Sequence, residues 1–251
     1  MKANTQSQWR IKNQMKLTSW KFTLWILTLV VFSGAVCSLP AQKQPSSYAE
    51  MAPIQQYLMT RDAEINLART AAPESISRDA EVMVLGRQGY ETAIQGKNGF
   101  VCMVQRSWTA GFDDPEFWNP KLRAPICFNP PGVRSYLPFN LRKTSLALHG
   151  RTRAQIFEEI QSAFNSKELP TQEPGSMGYM MSKDAYLGDR DGHWHPHLMF
   201  YVPETDTVSW GAGLPGSPIL GSKDMQEHLT VFFIPVSKWS DGTDGPPMKN
   251  P

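Results

Sequence analysis

The segment Asp189-Arg190-Asp191-Gly192-His193-Trp194-His195-Pro196-His197 holds three of the chain's five histidines at a spacing of two. Side chains alternate along an extended backbone, so His193, His195 and His197 would leave from one side of it. Pro196 favours that conformation by steering His195 away from helical geometry. Neutral imidazoles on one face suit zinc or copper, with Asp191 or Asp189 as a fourth ligand or as the carboxylate that orients a ring. An ion held there with an open position would activate water, which is the chemistry of a metal-dependent hydrolase. An ideal pleat sets His193 and His197 ~13 Å apart, so sharing one ion requires a bend at Gly192 or Pro196. Two of the three combined with a remote ligand such as His149 or His228 is the easier geometry. The competing reading is a solvated histidine-rich loop that leads into a strand.

Other residues with chemical potential are more scattered. Met180, Met181 and Met199 offer soft sulfur for copper, although methionine in a strand normally fills core space. Asp189-Arg190-Asp191-Gly192 and Asp241-Gly242-Thr243-Asp244-Gly245 carry some of the residues of a calcium loop but lack its full ligand spacing and closing glutamate, and read as turns. No serine stands in a strand-to-helix nucleophile motif, and no glycine-rich phosphate cradle is present.

From Ser107 to Arg142 the chain is rich in proline and carries Trp108, Phe112, Phe117, Trp118, Phe128, Tyr136 and Phe139. An irregular segment this aromatic packs against its domain, as a satellite hydrophobic cluster or as the wall of a ligand pocket with Trp108, Phe117 and Trp118 as its contacts.

The compartment follows from the amino end. Lys16 and Lys21 precede an apolar run beginning at Phe22, which gives way to Ser33, Gly34 and Ala35; this is the order of a secretory signal peptide. Residues 1–41 are read as that leader, with Met15 as an alternative start and cleavage after Ala35, Cys37 or Ala41. Ser33, Gly34, Ser38 and Pro40 dilute the run and favour cleavage over retention as an anchor. The expected location is therefore the periplasm or the exterior, with membrane contact only through the leader. Removing Cys37 with the leader leaves Cys102 and Cys127, an even pair in an oxidising space, expected to form a disulfide.

The leader also carries Lys2, Arg10, Lys12, Lys16 and Lys21, five of the 25 basic residues, and no acid. What remains is 20 basic against 23 acidic side chains, which sets nucleic-acid binding aside. The remaining stretch, residues 42–251, has the length of one well-buried domain.

Ile54, Tyr57, Leu58, Ile65 and Ala68 recur at helical spacing between Pro53 and Ala72. Runs at 80–85, 90–95 and 100–106, separated by glycine-bounded tetrads, suggest an antiparallel meander. Thr152-Arg153-Ala154-Gln155 forms a capping box ahead of an apolar stripe from Ile156 to Phe164, a second helix. Short strands are expected at 124–128, 177–182, 197–202, 207–210 and 229–236. Together these specify an α+β domain on a mainly antiparallel sheet with two principal helices. The function this supports is an exported, non-enzymatic domain that binds a small ligand or partner; the alternative is a zinc or copper enzyme built on His193, His195 and His197.

Overall fold

The computed structural model describes residues 48–190, 192–224 and 227–247. The chain divides into two units at Lys43 and Gln44, and every described residue belongs to the second. The expected leader and Asp191 lie outside the described residues.

The fold is α+β. Eight strands form one sheet: β1 (Glu81–Gly86), β2 (Gly89–Ile94), β3 (Val101–Gln105), β4 (Ala124–Phe128), β5 (Met177–Met180), β6 (His197–Pro203), β7 (Leu220–Asp224) and β8 (Leu229–Pro235). Their order is β2-β1-β3-β4-β5-β6-β8-β7, antiparallel throughout except for the β1–β3 pair. Helices are α1 (Arg61–Arg69), α2 (Glu74–Ser77), α3 (Pro130–Ser135), α4 (Leu137–Leu148) and α5 (Arg153–Asn165). Among the described residues no helix is long and apolar enough to cross a membrane.

All three N-terminal strands belong to the sheet, but the third does not extend the meander. After the β1–β2 hairpin the chain passes beneath the start of β1, where the Lys97 N–H donates to the Asp79 carbonyl at 2.7 Å. Gly96 makes this crossing possible: a Cβ there would stand 2.2 Å from the Glu81 nitrogen. The chain therefore reaches the far side of β1, and β3 runs parallel to it. Asn98, which reads as a turn residue, instead donates its side-chain amide to Ile76 O and accepts from Phe100 N–H.

Two further differences have local causes. The proline-rich segment contains α3 and the start of α4, because Pro130 and Pro131 occupy the first turn of α3, where a missing N–H removes no helical bond. The Asn129 side chain caps that helix by accepting from Gly132 N–H at 2.9 Å. Pro138 stands likewise in the first turn of α4. The expected strand at 207–210 is a short 3-10 turn closed by Gly211 at φ 75°, and the chain pairs later, as the polar edge strand β7.

The helix expected at 53–72 is shorter, a 3-10 turn at Ile54–Gln56 followed by α1. The helix expected after the capping box is α5, and both halves of that box are formed. On one face of the sheet α1 packs over Val82, Val104 and the disulfide between Cys102 and Cys127, which stand directly opposite on β3 and β4 with Cα atoms 4.0 Å apart. The other face carries an aromatic core with residues from α4 and α5.

Candidate functional site

At the ends of β3, β5, β6 and β8 the aromatic face is not filled. A cleft of about 430 Å³ opens there, with Met180, Met199, Tyr136, Tyr201, Trp194 and Phe233 among its walls. Strand register puts these groups together. His197 on β6 pairs with Met180 on β5, and His197, Met199 and Tyr201 alternate onto one face of β6. Met199 in turn pairs with Phe233 of β8. Gly178, across from Met199, keeps the floor thin: a Cβ there would lie 2.8 Å from Ile126 Cδ1 and 3.4 Å from the Tyr201 hydroxyl. Tyr201 stacks on Tyr136 at 3.7 Å, and its hydroxyl donates to Met199 Sδ at 3.5 Å. Burial pushes both phenols well above their ordinary pKa, so they stay protonated.

A second hollow of about 400 Å³ shares Thr109, Ala110, Tyr136, Met199 and Phe233 with the first and adds Asp113, Asp224 and Glu227. Behind it Glu227 pairs with the fully buried Lys143 at 2.7 Å. The Lys143 ammonium also donates to Ala110 O and stands 4.2 Å from the centre of the Phe112 ring. Burial raises the Glu227 carboxyl to about 7, against the pull of Lys143. A second buried pair, Arg106 with Glu64 at 2.9 Å, lies under the other end of the cleft. Arg106 donates as well to Tyr57 O and Val104 O, and Glu64 accepts from Leu85 N–H, so this pair ties α1 to β1 and β3.

Compared with family profiles, curated proteins and solved structures, the chain matches none.

The aromatic loop contributes to the cleft, but through residues other than the expected ones. Trp108 and Phe117 are wholly buried and Trp118 nearly so, all in the main core. The Trp108 indole N–H donates to Thr144 Oγ1 at 3.0 Å, and Phe117 meets Trp118 edge-on. Thr109, Ala110, Asp114 and Leu122 of the same loop line the cleft instead.

The histidine segment is not an extended ladder. Regular strand begins only at His197; before it the chain turns back, with Gly192 N–H donating to Gly188 O and Leu187 N–H to Gly192 O. His193 is exposed, whereas His197 is buried and donates Nδ1–H to the His195 carbonyl at 2.7 Å. Among the described residues no three His, Cys, Asp or Glu side chains converge on a metal position. His193, His195 and His197 thus do not share one position: the turn at 188–192 leaves His193 exposed while His197 is buried. Asp189 is also committed elsewhere. Its carboxylate accepts from Tyr48, Tyr186 and Lys121, which hold it down at about 2, and Glu116 takes the Asp189 and Arg190 N–H groups.

Burial lowers the His197 pKa to about 4, so the ring is neutral at physiological pH. Sequence reasoning missed Met199 and Tyr201 as cleft residues, although their spacing of two from His197 was a usable signal.

Proposed function

We propose that this chain is an exported binding domain that holds a small, largely apolar molecule in the cleft between the sheet and the 107–122 loop. The observation that carries this reading is an open hollow of ligand size, about 430 Å³, walled by methionine and aromatic side chains where the sheet face should otherwise be packed. Export is supported by the charged, apolar and small-residue order of the amino end and by the buried disulfide.

Binding is favoured over catalysis because three of the polar groups around the cleft are already committed to neighbours. The Gln105 amide donates to Asn140 Oδ1, the Arg106 guanidinium is held by Glu64, and Asp114 Oδ1 accepts from Glu116 N–H. Groups so engaged fix a shape rather than shuttle protons. The hydrolase alternative, built on His193, His195 and His197, draws no support from a converging ligand set among the described residues.

The test is native mass spectrometry of the protein recovered from the extracytoplasmic fraction of its host. A bound organic molecule is expected on the wild type, and Ala110→Trp, which fills the hollow, is expected to abolish it. A wild type that carries no such molecule, or a variant that keeps it, would contradict the reading.

A further inference from the structure

Beside the cleft, behind a wall formed by Met180, Leu187, Trp194 and His197, lies a niche of about 10 Å³. That is the room of one water-sized occupant. His195 lines this niche and not the larger cleft, and its buried Nδ1 has no hydrogen-bond partner among the described residues. A buried ring nitrogen left unpaired is costly and calls for an occupant.

The second imidazole is already prepared. A carbonyl only accepts, so the 2.7 Å contact between His197 Nδ1 and His195 O places the proton on Nδ1. The lone pair is then on Nε2, and among the described residues no hydrogen bond occupies it. A backbone carbonyl on the far nitrogen is how proteins fix the tautomer and direction of a metal-binding histidine. Met180 stands directly across from His197 in the β5–β6 ladder, where opposite Cβ atoms are ~5 Å apart, within reach of a flexible thioether. The Trp194 ring closes the niche, 4.4 Å from the His197 ring and 6.1 Å from that of His195.

We propose that this niche is a Cu(I) site, in which His195 Nδ1, His197 Nε2 and Met180 Sδ are the ligands and the Trp194 indole shields the ion. Two imidazoles and a thioether form a neutral, soft set that suits a monovalent d¹⁰ ion. Zinc prefers four ligands drawn from thiolate, imidazole and carboxylate, and a thioether does not replace them. This site shares the wall of Met180, Leu187, Trp194 and His197 with the cleft but takes a different occupant, so its test does not depend on what the cleft holds.

The test uses the full chain without a histidine tag and with Cys37→Ser, which removes the thiol outside the disulfide. Anaerobic competition for Cu(I) against bathocuproine disulfonate is expected to show one equivalent withheld from the chelator, with Ag(I) competing for the same site. Met180→Leu, His195→Gln and His197→Gln should each weaken binding by ~100-fold, whereas Met199→Leu, on the cleft side, should change it by less than about twofold. X-ray absorption of the copper-loaded protein, which needs none of the ligand variants, should read two nitrogen scatterers and one sulfur. Failure to withhold copper, a spectrum without sulfur, or affinity that depends on Met199 and not on His195 would each overturn the proposal.

Discussion

Strands β3 and β4 are buried at every position, while β5 and β6, next to them in the same sheet, are buried at only a few. In the first pair each face is closed, by α1 on one side and by the aromatic core on the other, and a disulfide joins the two strands. In the second pair one face opens on the cleft, and methionine, tyrosine and histidine side chains line a hollow. The closed half satisfies its groups by packing and pairing. The open half keeps surfaces and lone pairs available, and the proposed binding function is assigned to it.

Substitutions should separate the halves by size of effect. Glu64→Ala leaves the fully buried Arg106 guanidinium without its carboxylate and should lower unfolding free energy by about 3–5 kcal/mol in urea titrations. A loss below 1 kcal/mol would mean that water reaches Arg106 and that this half is not closed. Replacing both Cys102 and Cys127 with Ala removes a cross-link over a sequence separation of 25, with an expected loss of about 3 kcal/mol by the same measurement.

Glu227 gives a smaller, pH-dependent effect. Its folded pKa lies above the ordinary 4.5, so the folded state binds more protons in the window between 4.5 and about 7. The stability it contributes is fully present below 4.5 and is lost as pH rises through 7. Stability of the wild type relative to Glu227→Gln should therefore fall across that window. His197, with its pKa lowered to about 4, acts in the opposite direction below 6.5, and the difference curve isolates Glu227 from it. A flat difference curve would place the carboxylate in contact with solvent. The smallest change belongs to the cleft wall: Met199→Leu keeps volume and should cost less than about 1.5 kcal/mol while altering what the cleft binds.

Legibility in the sequence follows the same division. The capping box at Thr152, the hairpin strands β1 and β2, and the cysteine pair depend on local signals or on parity, and all three could be read. The parallel landing of β3 depends on Gly96 lying against Glu81, a contact between distant backbone segments that no local pattern carries. Helices α3 and α4 were hidden because Pro130, Pro131 and Pro138 read as breakers, while at a helix start they cost no hydrogen bond. The loop's importance was legible but its orientation was not. Burial of Trp108 and Phe117 is decided by Tyr57, Thr144 and Phe112 around them, and the smaller Thr109 and Ala110 are left to face the cleft. At the histidines, the need for a bend was legible but its place was not: the turn at 188–192 leaves His193 exposed.

The most direct test of the central claim, that the open half is the binding half, is a methyl spectrum of methionine-labelled protein titrated with 2-naphthol as a generic apolar probe. The Met180 and Met199 methyls, which line the cleft, should shift together and saturate, while Met103, buried on β3, stays in place. Saturating shifts at Met103 with Met180 and Met199 unmoved would contradict the account.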